Sequence, residues 1–158
     1  MLERVSKEKR FWDRFAPRYD RFMSRFAGVY AQLVERIQPK LDSTDRVLEV
    51  ATGTGLIALE ISTRVSSVTA VDISEPMIHV ARGKARSANI GNVDFQVQDA
   101  CALSFDDQQF DVCLVVNALR CAREIRSEFP VALPGWRAIS RGLSTVNGRS
   151  RDGRGPIS

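Results

Sequence analysis

Glu49, Gly53, Gly55 and Asp72 are the residues of this chain whose types and spacing could do chemistry. The run Val47-Leu48-Glu49-Val50-Ala51-Thr52-Gly53-Thr54-Gly55-Leu56 reads as a buried strand, a glycine turn and the start of a helix. Nineteen residues after Gly53, a second apolar run, Val68-Thr69-Ala70-Val71, ends in Asp72. Glycines after one strand let the backbone approach a ligand closely, and an acid after the next strand takes a ribose hydroxyl pair. Together they make a nucleotide cradle.

Two ligands fit that outline. Gly53-Thr54-Gly55-Leu56-Ile57-Ala58 satisfies the dinucleotide pattern in its G-x-G-x-x-A form. Glu49 decides between them. A dinucleotide sets its pyrophosphate near the glycine turn and the helix N-terminus that follows, where a carboxylate repels it. The same carboxylate favours a ligand with positive charge. S-adenosylmethionine carries an ammonium and a sulfonium and no phosphate.

The elements that must position these residues follow from periodicity. Helices are expected at 6–25 and 28–38, then a turn at 42–45. Strands are expected at 46–51, 67–72, 92–97 and 109–117. Helices at 55–64 and 75–88 lie between them, the second capped by Ser74 with Pro76 in its first turn. Alternating strands and helices imply a parallel sheet with right-handed crossovers, and a ligand at the strands' carboxyl ends. Glu49, Asp72, Asp99 and Asn117 all fall at such ends.

Four segments resemble the class I S-adenosylmethionine-dependent methyltransferases, most of all the ubiquinone/menaquinone-biosynthesis type and its small-molecule relatives. They are Phe15-Ala16-Pro17-Arg18-Tyr19-Asp20, the glycine motif from Leu48 to Leu56, and Val71-Asp72-Ile73-Ser74-Glu75-Pro76-Met77-Ile78. The fourth runs from Val93-Asp94-Phe95 through Asp99-Ala100 and Phe105 to Phe110-Asp111-Val112 and Asn117-Ala118-Leu119. Order and spacing match over roughly residues 11 to 119. The resemblance implies an α/β fold, a Rossmann-like three-layer sandwich with a mainly parallel sheet. An N-terminal helical lid would occupy 1–40, the cofactor-binding domain 41–140 and a flexible basic tail 141–158.

It also implies roles. Glu49 would face the methionine end of the cofactor, with Gly53 and Gly55 forming the turn beneath it. Asp72 would bind the ribose hydroxyls. Asp99 would accept from the adenine amino group, with the Ala100 N–H beside the ring and Ile73 and Met77 flanking it. Asn117 would border the methyl-transfer site, and Tyr19 would close over the cofactor. A catalytic base is not identified, although Tyr19 and Asp20 are candidates.

The remaining composition narrows the reading. No apolar run reaches the ~18 residues of a membrane span, and the N-terminus lacks the apolar core of a signal peptide. Cys101, Cys113 and Cys121 show no C-x-x-C spacing, which suggests reduced thiols and a cytoplasmic setting. No metal-ligand cluster is visible. Asp106, Asp107 and Asp111 read as a solvated acidic loop, and His79, the only histidine, projects from the polar face of its helix. In the first helix Phe11, Phe15, Tyr19, Phe22 and Phe26 recur at three- and four-residue steps, interleaved with Lys7, Lys9, Arg10, Arg14, Arg18, Arg21 and Arg25. Pro17 is expected to kink or divide that helix. Such a helix either packs its apolar face on the core or lies on an anionic membrane. The first reading is favoured, because the family places its lid there.

The C-terminal third departs from the family. Residues 120–158 carry eight arginines, no lysine and three acids, a charge of +5 against −1 for the first 119 residues, so the basic excess of the chain (+4) comes from there. Residues 122–129 are expected to form a helix, 133–135 a turn and 136–140 a short fifth strand. No strand pattern follows Ser140, so the sheet reads as truncated after the fifth strand. A genuine short form, a basic partner-binding extension and a truncated or frame-shifted product all fit, and the arginine bias favours the last. Nucleic acid is a disfavoured partner. An exposed sheet edge would favour homodimerisation.

Three functions are consistent with these residues: methyl transfer to a small-molecule or quinone-like acceptor, a cofactor-binding remnant without catalysis, and NAD-dependent oxidoreduction.

Overall fold

The computed structural model describes residues 2–106, 108–116, 137–140 and 146–147, with side chains for 6–106 and 108–116. Helix α1 spans Leu2–Met23 and, after a 3-10 turn at Ser24–Phe26, α2 spans Ala27–Ile37. Strand β1 (Arg46–Val50), helix α3 (Leu56–Ile61), strand β2 (Ser67–Asp72), helix α4 (Glu75–Ser87) and strand β3 (Val93–Val97) alternate as the sequence implies. Strands β4 (Val112–Val115), β5 (Arg137–Ser140) and β6 (Val146–Asn147) complete a sheet in the order β3-β2-β1-β4-β5-β6.

Strands β1 to β5 pair in parallel, while β6 runs antiparallel on β5. The chain reverses direction across the sheet between β1 and β4, which opens a crevice beyond their carboxyl ends. β6 corrects the expectation that no strand follows Ser140, because a two-residue strand shows no alternation to read. It covers part of the β5 edge. Asn117 and Asp107, and the helix and turn expected at 122–135, lie outside the described residues.

Two apolar clusters sandwich the sheet. Strand side chains alternate faces, so Val47, Val68, Ala70, Val112 and Leu114 meet Ile57, Ala58 and Ile61 of α3 and Ile78, Ala81 and Ala85 of α4. Ile37 of α2 joins this cluster. On the opposite face Leu48, Val50, Val71 and Cys113 pack against Phe110, Leu103 and Phe105 from the loop before β4. The same alternation puts Glu49, two residues after Val47, on the face that carries the helices.

Two expectations about bounds change. Pro17 does not divide α1, which runs unbroken to Met23. Pro17 costs the helix the one backbone bond its missing N–H would make, and the turns on either side carry α1 past it. β4 begins at Val112 rather than 109, because Phe110 turns into the second cluster. The acidic loop is partly stitched down: Asp111 accepts from the Arg46 backbone N–H at 2.9 Å and its guanidinium at 3.1 Å, tying β4 to β1.

The two turn glycines answer different constraints. Gly55 has φ +76°, and a Cβ there would lie 2.7 Å from the ring of Phe95, which is buried. Gly53 has φ +58°, but its Cβ would meet the Tyr19 ring at an ordinary 3.5 Å. Gly55 lets α3 close on the core, and Gly53 faces α1. Gly55→Ala is expected to cost about 2–4 kcal/mol from left-handed strain plus overpacking, against about 1 kcal/mol for Gly53→Ala from strain alone. Urea unfolding of both variants measures the difference; equal losses contradict the assignment.

Candidate functional site

The turn after β1 is shaped by three residues of positive φ: Ala51 at +59°, Gly53 and Gly55. Ala51 bears a Cβ in a left-handed conformation that costs roughly 1 kcal/mol. This geometry folds the chain back so that Thr52 N–H donates to Val71 C=O at 3.0 Å. The glycine turn is thereby held against the end of β2.

Asp72 completes that join. One carboxylate oxygen accepts from Gly53 N–H at 2.8 Å and the other from Ser74 N–H at 2.9 Å. Burial raises its pKa despite these donors, with the Ile73 N–H a further one and Asp13 adding repulsion. A carboxylate has about four acceptor sites, so capacity remains for ligand hydroxyls. The backbone also links β2 to the loop after β3, where Gln98 N–H donates to Asp72 C=O at 3.0 Å.

Glu49 is buried, with 2% of its surface exposed. Its Oε2 accepts from Thr52 Oγ1 at 2.7 Å, and the Ala58 N–H at the open start of α3 also donates to the carboxylate. Gly55, the residue preceding α3, provides no side-chain cap. Burial, with a further contribution from the charge of Asp72, pushes Glu49 up to about 7 against these two donors. No salt bridge among the described residues reaches it. It lines a cleft with Tyr19, Tyr30, Thr52, Leu56 and Val116 that retains only about 10 Å³ of free volume.

Helix α1 closes that cleft. Tyr19 lies over Gly53 and hydrogen-bonds Tyr30 of α2. Burial, Tyr30 and the nearby carboxylates of Asp72 and Glu49 drive the Tyr19 phenol far above its ordinary range. It therefore stays protonated near neutral pH in this arrangement. Asp20 is equally committed, accepting from Thr54 Oγ1 in the glycine turn and from Lys84 Nζ of α4 at 2.9 Å. Asp13 accepts from Ser74 Oγ at 2.7 Å. Both acids are clamps that seat α1.

Residues 47–129, more than half of the chain, match the family described as "Methyltransferase domain". The chain belongs to the class I S-adenosylmethionine-dependent methyltransferases. A relative from Geotalea daltonii, named "Ubiquinone/menaquinone biosynthesis C-methyltransferase UbiE", is 30% identical over 159 residues, covering 92% of this chain and 66% of the relative. The "Demethylmenaquinone methyltransferase" of Porphyromonas gingivalis is 36% identical over 124 residues, covering 73% of this chain and 50% of its own. Among solved structures, a "DhpI-SAH complex" aligns with a TM-score of 0.68 at 25% identity, over 86% of this chain and 68% of the other. The chain spans about half to two thirds of the length of these curated relatives. The Geotalea alignment omits fewer residues than residues 120–158 contain, so it extends into the arginine-rich segment.

Of the expected site residues, Tyr19 lies against Gly53, Gly53 donates to Asp72, and Glu49 lines the same cleft as Tyr19, whereas Gly55 turns to Phe95. Ile73 is half-buried beside Asp72, and Met77 is buried in the first turn of α4. Asp99 caps its own loop, accepting from Cys101 N–H at 2.9 Å, with Ala100 packed against the second cluster. His79 is exposed on α4. Sequence reasoning missed Tyr30, although Tyr30, Val34 and Ile37 share one helical face and could have revealed it. It also missed the bridge from Asp20 to Thr54 and Lys84, for which no local signal exists.

Glu49 carries a signed pH dependence. Its proton is held more tightly when folded (about 7) than at the ordinary value of 4.5. Its contribution to stability is therefore greatest below 4.5, falls between 4.5 and about 7, and is flat above. Glu49→Gln is expected to remove that decline and to raise stability at pH 8 by about 1–3 kcal/mol. Thermal unfolding of both proteins at pH 5 and pH 8 checks it. A variant weaker than wild type at pH 8 contradicts the account.

Proposed function

We propose that this chain binds S-adenosylmethionine beyond the carboxyl ends of β1 and β2 and catalyses methyl transfer to a small, quinone-like acceptor. The observation that carries the reading is Glu49, a buried carboxylate near the end of β1 with neutral donors and, among the described residues, no salt bridge. A cationic amino-acid group supplies what that carboxylate lacks, whereas a pyrophosphate would add repulsion. NAD-dependent chemistry is disfavoured on the same ground.

Bound there, S-adenosylmethionine supplies an electrophilic methyl group on a sulfonium. Glu49 would hold the ammonium end and Gly53 the close backbone approach. Asp72 would take the ribose hydroxyls while keeping Gly53 and Ser74 in register. Asp99, Ala100, Ile73 and Met77 would frame the adenine, and Asn117 would border the acceptor. Tyr19 and Tyr30 occupy the cleft in the described state, so admitting the cofactor displaces them. The two aromatic rings then serve to exclude water once the site is filled. In-line methyl displacement depends mainly on alignment. The quinone-like acceptor is supported by the names of the Geotalea and Porphyromonas relatives.

Calorimetric titration with S-adenosylhomocysteine and with NAD separates the two nucleotide readings; binding of NAD alone rejects this one. Asp72→Asn, which removes the charge and one of the two acceptor oxygens, is expected to weaken S-adenosylhomocysteine binding by about 1–3 kcal/mol. Unchanged affinity removes Asp72 from the ligand. Transfer of labelled methyl to a demethylmenaquinone analogue tests the acceptor. Binding of S-adenosylhomocysteine without any transfer would instead mark a remnant that has lost catalysis.

A further inference from the structure

Helix α1 has two faces with different occupants. Ala16 is buried, and Asp13, Tyr19 and Asp20 point inward to Ser74, Gly53, Thr54 and Lys84. The outer face is apolar yet uncovered. Phe11 is 59% exposed, Phe22 and Phe26 are each 43% exposed, and Val29 at the start of α2 is 46% exposed. This overturns the expectation that the aromatic stripe packs wholly on the core. The rings form one continuous ladder, with centroids 5.9 Å apart from Phe11 to Phe15, 5.5 Å from Phe15 to Phe22 and 5.5 Å from Phe22 to Phe26.

Cations border this ladder along its length. Lys7, Arg10, Arg14 and Arg18 join Phe11 and Phe15 around one open concavity of about 510 Å³. Residues 2–26 hold eight basic and four acidic residues, and two of those acids, Asp13 and Asp20, are turned into the protein. Arg14, Arg18, Arg21 and Arg25 are exposed and have no carboxylate partner among the described residues. No helix here is long and apolar enough to cross a membrane among the described residues. A strongly amphipathic helix of low overall hydropathy, with aromatics on one side and arginines beside them, is suited to lie in the plane of a bilayer surface.

We infer that the outer face of α1 and the start of α2 form a docking surface for an anionic phospholipid bilayer. The aromatic ladder enters the boundary between headgroups and acyl chains, and the flanking arginines meet lipid phosphates. A bilayer offers anion and hydrocarbon side by side over the whole length of a helix. A nucleic acid offers the anion without the hydrocarbon, and an apolar protein groove offers the reverse. The inward face of α1 closes the cleft beside Glu49, so docking would set α1 between that cleft and the lipid surface. The surface is independent of which acceptor the site uses.

Trp12, whose ring centroid lies 5.0 Å from that of Phe11, is a built-in reporter. Trp136→Phe leaves it the sole tryptophan of the full chain. With vesicles of phosphatidylcholine and phosphatidylglycerol, Trp12 emission is expected to shift to the blue and the protein to sediment with the lipid. Phosphatidylcholine alone should bind far less, and added salt should release the protein. Phe11→Ser with Phe22→Ser is expected to lower vesicle binding by roughly tenfold or more. Arg14→Glu with Arg18→Glu should act similarly, and circular dichroism confirms that both variants fold. Equal binding to both vesicle types, no binding by the folded wild-type chain, or an undiminished serine variant overturns the inference. So does preferential capture of an oligonucleotide, or a dimer that the serine variant dissolves while vesicles go unbound.

Discussion

A carboxylate buried near a strand end with no salt bridge among the described residues is the constraint around which this structure is arranged. Glu49 accepts what the protein can offer locally, a threonine hydroxyl and one backbone N–H at the opening of α3. These neutral donors do not offset the cost of burial, as its upward shift toward neutrality shows. The chain thus keeps a destabilising group at the point where a positively charged ligand would relieve it. Strain at Ala51 belongs to the same economy, because the left-handed corner brings the glycine turn against β2.

Asp72 has the complementary task. Where Glu49 is under-compensated, Asp72 is woven into the backbone by donors from two successive turns. It fixes the separation between the glycine turn and the N-terminus of α4 before any ligand arrives. Preorganisation of this kind reduces the ordering that binding must impose. Its loss would act on shape as well as on charge, which is why an isosteric change is more informative than truncation.

Much of this site could be read from local sequence. The strand alternation at Val47, Leu48, Glu49 and Val50 fixes which face each side chain takes, and Asp72 at the end of β2 follows from the same rule. Ser74 acts as the cap that its position suggested, donating to Asp13 as well as receiving Met77 N–H. The illegible parts are contacts between residues distant in the chain. The spacing of glycines does not reveal that Gly55 yields to Phe95 while Gly53 yields to Tyr19, since that depends on how α3 and α1 dock. The bridge of Asp20 to Lys84 links residues whose neighbours give no hint of it. The aromatic periodicity of α1 showed a helix but could not show which rings its docking would leave in solvent.

The nearly closed cleft has a consequence for how tightly any ligand is held. If only a fraction of molecules have α1 lifted away, measured affinity equals the intrinsic affinity scaled down by that fraction. Loosening the tethers at Asp13 or Asp20 would then strengthen binding without adding a single ligand contact. A helix anchored elsewhere by its outer side would have the same effect, making occupancy of the crevice answer to where the protein resides.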